Sequence, residues 1–396
     1  MDALDANSKE QIMRALSVDI SGRVEKYDHA LFDSMCKNLS DDTQMVFACP
    51  YFTISKNAKP LRLFSFVPER YRSCTNFIKR LLKVLEVIFN YHIIQKYVQR
   101  ESIQVLHLQW LPLLDFCLFE KYWIKHLLKK NQELKIILTI HNVYPHDINI
   151  KKKIAYRNRM LAIAPYISHY IVHTTNTMLQ IEEEFHICEN NISVIQHGIF
   201  IPASKPARKR DNDKIRLLMY GKQFVYKGTD LFVKAIELLS PAYRQQIEAH
   251  IIGLTEKQLI DTYLERAQHV GITWKNCYLS DAQLYQALQD ADVLIFPYRS
   301  ISQSGALLLG IDFKKPIILS DIPSFKETMG TTYPDSLYFK SNDANSLSET
   351  IANYLEHADK YNQQVIPVLQ HIIDENSWDC AANKTLTLYK KINEIS

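Results

Sequence analysis

Glycine is the residue this chain has least of for its size. Nine occur in 396 residues, a fraction of the usual share, since glycine normally makes up about 7% of a chain. Eight of the nine lie at or after Gly198, and only Gly22 precedes it. The first half therefore has no place for a G-x-G-x-x-G dinucleotide loop, and no G-x-x-x-x-G-K-[ST] phosphate loop occurs anywhere. Collagen-like and Gly/Ser low-complexity chains are excluded as well. Cysteine is sparse and unpaired in pattern: seven residues, odd in number, with no C-x-x-C. That suits a reducing compartment and argues against a disulfide framework or a zinc site. Long hydrophobic runs are missing too, none reaching the ~18 residues of a membrane span. The opening MDALDANSKE is polar and acidic, unlike a signal peptide. These absences lead us to expect a cytosolic protein, with contact to a membrane surface left open.

What is present describes a cored, soluble chain. Apolar residues are 47% and charged residues 23%, as in ordinary globular proteins. The length suggests two or three domains. The net charge of +4 is unevenly placed. Residues 1–200 hold 25 Lys+Arg against 20 Asp+Glu, and residues 201–396 hold 22 against 23. Within 56–160 the balance is 20 against 7. The basic residues come in groups at Arg70 and Arg72, Lys79 to Lys83, Lys121 to Lys130 and Lys151 to Arg159, several beside apolar and aromatic residues. Solvated helix faces are one reading, and a face that meets an anionic membrane or a lipid-linked substrate is the other. The modest net charge and confinement to one half make nucleic acid the weakest partner.

Along the chain, residues 1–44 read as polar with a loosely held start, and MVFACP (45–50) as the first buried strand. A long amphipathic helix is expected at about 75–98. SIQVLHLQW, KIILTI, HYIVHT and NISVIQ read as further strands, with helices between them. Continuous apolar strands alternating with helices predict a parallel sheet covered on both faces. IPASKPARKRDND (201–213) breaks the rhythm as a linker. The alternation restarts with IRLLMY, AHIIG, DVLIFP and PIILS, and the tail from Asn345 reads as helical. The expected fold is α/β: two doubly wound domains, 1–200 and 214–377, facing each other across a cleft. The last helix, about 378–396, is open to packing back on the first domain. Ligands in such sheets bind at the carboxyl ends of the strands.

Four stretches carry candidate chemistry. In LLMYGKQFVYKGTD a strand ends at Gly221-Lys222, and Lys227-Gly228 then leads into a helix; two lysines at the mouth of such a turn suit phosphate oxygens. In DVLIFPYRSISQSGALLLG, Ser304 is a good N-cap and Gly305 opens an apolar helix whose free N–H groups form an anion site. In LTIHNVYPHD, His141 follows the third strand, with Asn142, His146 and Asp147 beyond it in an irregular loop. In VIQHGIF, His197-Gly198 ends the last strand before the linker, where a turn with positive φ would use the glycine. Each has an ordinary alternative: exposed lysines, a capped helix, a hydrogen-bonded loop histidine, a turn. Asp290-Ala291-Asp292 has metal-diphosphate spacing, but Asp290 ends a helix and Asp292 enters a buried strand, so a structural role is favoured. Asp211 and Asp213 read as solvated linker residues.

Taken together, VLHLQW, TIHNVYPH, IVHTTNT, VIQHGIF, MYGKQFVYKGTD and ADVLIFPYRSISQSGALLLGIDFKKPIILSDIPSFKE resemble a family 4 glycosyltransferase of the GT-B fold, nucleotide-sugar-dependent and retaining. The subgroup it resembles builds bacterial exopolysaccharide, capsule and lipopolysaccharide. The resemblance spans about 105–327. It implies that Lys222, where the family more often has Arg, and Lys227 hold the donor diphosphate. It places His141 near the donor sugar and reaction centre. The family's E-x-F-G-x-x-x-x-E loop aligns with Ser302, Gln303, Ser304, Gly305 and Gly310, so both glutamates are replaced, as in a Q-S-G version of this loop in the polysaccharide subgroup. Glu327 stands at a common glutamate position near the nucleotide.

The implied site is then His141, Lys222 and Lys227 as catalytic residues, and Gly221, Tyr298, Ser302, Gln303, Ser304, Gly305, Ala306 and Glu327 around the donor. Asn142, His146, His197 and Gly198 fall on the acceptor side. The expected partners are a nucleotide-sugar, a glycan or lipid-linked acceptor, and an anionic membrane surface at the inner face of the plasma membrane. The departing diphosphate would be stabilised by the two lysines and the helix N-terminus at Ser304–Ala306, so neither a cofactor nor a metal is expected. A GT-B nucleotide-sugar epimerase and an inactive glycan-binding partner subunit are the alternatives, the latter prompted by the replaced glutamates.

Overall fold

The computed structural model describes residues 12–22, 24–50, 61–65, 77–145, 149–202, 206–207 and 213–394, with residues 77–80 described by their backbone alone. The chain divides into two compact units, Met1–Gly198 with Trp378–Ser396, and Ile199–Ser377. Each is built on one fully parallel sheet.

The first unit runs β1 (Met13–Val18), α1 (Glu25–Lys37), β2 (Thr43–Cys49), β3 (Leu61–Arg62), α2 (Phe77–Arg100), β4 (Val105–Leu108), α3 (Phe119–Lys130), β5 (Lys135–Ile140), α4 (Ile150–Ile163), β6 (His169–Val172), α5 (Thr175–Phe185) and β7 (Ile192–Val194). Its strand order is β3-β2-β1-β4-β5-β6-β7. Strands such as β4 and β6, buried on both faces, are what a sheet covered by helices on each side requires. Side-chain caps start two of the helices: Asn149 Oδ1 accepts from Lys152 N at 3.0 Å, and Thr174 Oγ1 accepts from Thr177 N at 3.1 Å.

The expectation that residues 1–44 hold no buried strand is wrong. β1 lies near the middle of the sheet, pairing with β2 and β4. Its sequence, MRALSV, hides this because Arg14 and Ser17 interrupt the apolar run. Ser17 is nevertheless buried, and its hydroxyl accepts from Gln109 Nε2 at 3.1 Å. Arg14 turns outward and donates to Glu101 O at 2.9 Å.

The second unit runs β8 (Ile215–Tyr220), α6 (Thr229–Leu238), α7 (Pro241–Gln245), β9 (Ile247–Ile252), α8 (Lys257–His269), β10 (Thr273–Lys275), α9 (Asp281–Asp290), β11 (Val293–Phe296), α10 (Gly305–Asp312), β12 (Ile317–Ser320), α11 (Pro323–Met329), β13 (Tyr338–Phe339), α12 (Ala344–Glu356) and α13 (Ala358–Glu375). Its order is β10-β9-β8-β11-β12-β13. The chain winds one way from β8 to β10 and the other way from β11 to β13. The reversal falls between β8 and β11, and it opens a crevice at their carboxyl ends. Short β10, β13 and α11 do not stand out in the sequence, being only 3, 2 and 7 residues long.

The last helix, α14 (Trp378–Glu394), belongs to the first unit. Its Ala381, Ala382, Leu386, Tyr389 and Ile392 pack on Met13, Ala15, Tyr27, Leu31, Val105, Ile137 and Ile171, covering one face of the sheet. Tyr389 is fully buried, and its hydroxyl meets His107 Nδ1 at 2.6 Å. Gly198 makes room for this helix. A Cβ there would lie 2.3 Å from the Trp378 ring, and its φ is not positive. The glycine thus serves a close contact, and the ordinary alternative of a positive-φ turn does not hold for it.

Tyr389→Ala should lower stability by about 3–5 kcal/mol through the cavity it leaves. Tyr389→Phe should cost only about 1–2 kcal/mol, because it removes one buried hydrogen bond. Denaturant titration of both variants checks the ranking.

Candidate functional site

In the second unit the predicted residues meet at the β8/β11 crevice. β8 runs out at Gly221, and the chain turns through Lys222 and a short 3-10 segment, Val225–Lys227, into α6. Gly228 sits at the joint with φ +72°, and a Cβ there would lie 1.9 Å from Pro297 O, so no other residue fits without moving backbone. Gln223, fully buried, stitches the turn together. Its Nε2 donates to Gly221 O at 2.7 Å, and its Oε1 accepts from Thr229 Oγ1 at 2.9 Å. Arg299, just past β11, clamps the same turn from the other side. Its backbone N–H donates to Tyr226 O at 2.7 Å, Nη1 donates to Val225 O at 2.7 Å, and Nη2 donates to Asp230 Oδ2 at 2.8 Å.

This scaffold holds Lys227 inward. The residue is 8% exposed, and its Nζ lies 5.1 Å from the centroid of the buried Tyr298 ring. A Cβ at position 221 would be 3.5 Å from the same Nζ, so Gly221 keeps the space beside the ammonium open. No carboxylate pairs with Lys227 among the described residues. Burial therefore pushes its pKa from 10.5 down to about 8. The sign is that of a penalised charge: the fold loses stability as pH drops from the unfolded value towards 8, and below 8 carries the full cost. That cost is about 3 kcal/mol. A buried cation without a counter-charge is expensive, so an anion that reaches it is favoured.

Tyr298 links Lys227 to the start of α10. Burial pushes the Tyr298 phenol up, with Ser304 acting the other way. Ser304 caps α10, its Oγ accepting from Leu307 N at 3.1 Å. Gly305 is exposed, and nothing of the protein lies within 4 Å of where its Cβ would stand. The Cα of Gly305 thus faces clear space at the start of the helix, the end of a helix that favours anions. Lys222 is exposed on the same turn, and Ser302 and Gln303 are half-buried in the loop before the cap. Glu327 is half-buried on α11. Asp290 and Asp292 both turn to Arg216: Asp292 Oδ2 accepts from Arg216 N at 2.9 Å, and Asp290 lies 3.9 Å from the guanidinium.

Gly310 has a packing reason that the sequence did not show. A Cβ there would lie 2.8 Å from both Tyr220 Oη and Leu294 Cδ1. The Tyr220 hydroxyl donates to Ala306 O in the same turn of α10. The space a glutamate side chain would enter is thus filled by the end of β8.

In the first unit a second set gathers at the carboxyl ends of β5, β6 and β7. His141 and His173 each follow a strand directly, and His197 follows β7 by three residues. His173 Nε2 is 3.2 Å from His141 Nδ1, and His173 Nδ1 donates to Ile195 O at 2.9 Å. His197 Nδ1 donates to Gly198 O at 2.6 Å. All three imidazoles surround Tyr27 of α1, with ring centroids 4.9 Å, 5.3 Å and 5.1 Å away for His141, His173 and His197. Desolvation pushes His173 down to about 4, and desolvation with His173 nearby pushes His197 down to about 3, so both are neutral near pH 7. Trp110 stacks on His141 at 5.9 Å and 24°. Trp110, Leu111, Thr139, His141, Asn142 and Tyr156 line a pocket beside it.

The structure thus brings Gly221, Lys227, Tyr298 and Ser304 together in one unit, and His141 and His197 in the other, with Asn142 next to His141. His146 lies outside the described residues. Sequence reasoning passed over Arg299, Tyr220, Tyr27, Trp110 and His173. Of these only His173 had a readable signal, since three successive strand ends carry a histidine.

Comparison with known proteins agrees with this architecture. Residues 200–366 match the family model described as glycosyl transferases group 1. The two parallel-sheet halves are those of the GT-B glycosyltransferase fold. Over 185 residues the chain is 20% identical to GDP-mannose:glycolipid 4-beta-D-mannosyltransferase of Xanthomonas campestris pv. campestris, covering 46% of this chain and 49% of that enzyme. The chain spans about half the length of the curated relatives it matches. A glycosyltransferase of Rickettsia africae ESF-5 superposes with a TM-score of 0.65 at 16% identity, over 97% of this chain and 99% of the other. Anabaena HepE in complex with UDP and glucose superposes with a TM-score of 0.65 at 9% identity, over 96% and 100%.

Gly310→Ala should cost about 1–3 kcal/mol by overpacking against Tyr220 and Leu294. In a Tyr220→Phe background the cost should fall. A double-mutant cycle in denaturant should return a coupling of about 0.5 kcal/mol or more.

Proposed function

We propose that this protein is a retaining glycosyltransferase that moves a hexose from a UDP- or GDP-linked donor to a glycan or lipid-linked oligosaccharide in the synthesis of a bacterial surface polysaccharide. The observation that carries the reading is Lys227, a buried ammonium with no carboxylate partner among the described residues, linked through Tyr298 to the N-terminus of α10 at the β8/β11 switch point. Such a site is incomplete without a multiply charged anion, and a donor diphosphate supplies one. The group 1 domain over residues 200–366 supports the same reading.

On this reading the diphosphate gains charge as the glycosidic bond breaks. Lys227, Lys222 and the N–H groups after Ser304 stabilise it in place, as preorganised charge does in other transfer reactions. Gly221 and Gly305 leave room for it. Departing phosphate takes the acceptor proton, so attack and departure share one face and configuration is retained. On the same reading His141 positions the donor sugar, and Asn142, His197 and Gly198 serve the acceptor. Domains 1–200 and 214–377 joined by 201–213 are the working division, with Glu327 and Tyr298 around the nucleotide.

Peripheral attachment to an anionic membrane is part of the proposal. Among the described residues no helix is long and apolar enough to cross a membrane. Supporting surface attachment, Phe116, Tyr122, Ile150 and Ile154 are exposed among the lysines of α3 and the start of α4, including Lys125, Lys129, Lys151 and Lys152. The glycolipid named for the Xanthomonas relative fits an acceptor held at such a surface.

A panel of UDP- and GDP-sugars should include one that raises the melting temperature of the wild-type chain and supports transfer. Lys227→Met should abolish that shift and cut transfer on the order of 100-fold or more. Lys222→Ala, at an exposed site, should weaken donor binding by a smaller factor. Undiminished donor binding and transfer in a chain carrying both Lys222→Ala and Lys227→Met would sink the proposal.

A further inference from the structure

Arg299 stands at the carboxyl end of β11, where a third cation for a phosphate could act, yet every nitrogen of its guanidinium already meets a protein acceptor. Nε donates to Asn342 Oδ1 at 3.0 Å, Nη1 to Val225 O at 2.7 Å and Nη2 to Asp230 Oδ2 at 2.8 Å. Asp230 is held from its other side by Lys234 at 3.5 Å. The fork that closes on phosphates elsewhere is spent inside the fold. The main chain adds a further tie, the Arg299 N–H donating to Tyr226 O at 2.7 Å. Those two residues adjoin the pair that matters: Tyr226 precedes Lys227, and Arg299 follows Tyr298. The tie therefore fixes the spacing of Lys227 and Tyr298, with the ammonium 5.1 Å from the ring centroid. Val225 O is held twice, by Nη1 and by Gly228 N at 3.2 Å, which closes the 3-10 turn ending at Lys227. Asn342, with φ +63°, lies in the turn between β13 and α12. One side chain thus joins the segments that follow β8, β11 and β13.

From these contacts we infer that Arg299 is a positioning residue for the anion site: without touching the anion, it locks the turn 225–227 onto the end of β11, so that Lys227 stays inward, against Tyr298 and beside Gly221. The inference rests on the glycosyltransferase reading for the identity of the anion, a nucleoside diphosphate, but not for the placement of Lys227. A lysine that is not held keeps its ammonium in water. Desolvation is what lowers the Lys227 pKa. Loosening the clamp lets water reach Nζ and returns its titration towards the ordinary 10.5. The charge state of Lys227 therefore reports on Arg299 directly, which a general loss of stability does not.

The test uses the full chain labelled with 13C-lysine. The Lys227 Cε resonance is assigned from its loss in Lys227→Met and followed from about pH 7 to 11. In the wild-type chain it should titrate near 8. Arg299→Leu and Arg299→Lys should each raise that value by about one unit or more. Both should also weaken binding of UDP or GDP, whichever the wild-type chain binds, on the order of 10-fold. Arg299→Lys separates charge from geometry, since it keeps the cation and loses the fork. In a Lys227→Met background, Arg299→Leu should cost little further affinity. A variant that binds weakly while Lys227 still titrates near 8 would overturn the inference, as would wild-type affinity in Arg299→Lys; either result marks Arg299 as a charge acting on the anion itself. If Arg299→Leu fails to fold, Arg299→Lys decides by the same readings. A wild-type Lys227 that titrates near 10.5 overturns the inference whether or not any variant folds. If neither nucleotide binds the wild-type chain, the glycosyltransferase reading falls, while the Lys227 titrations still decide the clamp.

Discussion

The structure of the second unit depends on keeping one positive charge out of water. Lys227 is buried against Tyr298, and among the described residues no carboxylate pairs with it. Nearly every neighbouring feature serves that placement. Gly228 lets the chain pass under Pro297 O, Gln223 ties the turn's two ends, and Arg299 holds the carbonyls of Val225 and Tyr226. Arg299 also pairs with Asp230, so the one carboxylate at the start of α6 is spent on the clamp and not on the lysine. The result is a rigid frame around an unneutralised cation. Frames of this kind are stable in the fold yet favour the charge that completes them.

The first unit applies a different constraint. Its strand ends hold neutral imidazoles instead of a buried charge. Desolvation removes the proton that would make His173 and His197 cationic, so the cluster offers lone pairs and oriented N–H groups. Tyr27 is the hub of that cluster, and it reaches it from α1, the helix whose packing on α14 closes the unit's core. A chain segment more than 200 residues downstream of His173 is therefore needed to seat the rings. Stability and site geometry are coupled through one helix.

Much of this was legible in advance, for physical reasons that differ from element to element. β11 is an unbroken apolar run, and β5, β8 and β12 each keep three or more consecutive apolar residues, a pattern that reads as buried strand in an alternating chain. Gly221, Lys227 and Ser304 were legible because a turn and a cap leave local marks. β1 was not, because Ser17 is satisfied inside the sheet by Gln109, and no local pattern reports a partner 92 residues away. Arg299 was missed for the same reason: its value lies in carbonyls that it meets only after folding. Gly310 looked like a substitution in a motif, whereas the cause is the Tyr220 hydroxyl and the Leu294 methyl beside it. Scarcity of glycine was informative throughout. The positions that keep it mostly border backbone, a ring or open space for a ligand.

The charge of Lys227 gives the most direct measurement. Free Lys227 loses its proton near pH 8, and a diphosphate at its side should hold that proton on. Calorimetry of UDP and GDP binding at pH 9, in buffers of different ionisation enthalpy, should show uptake of about one proton per site for the nucleotide that binds. Uptake should fade towards pH 7 and vanish in Lys227→Met. A nucleotide that binds at pH 9 without taking up a proton, or with the same uptake in Lys227→Met, would contradict the account.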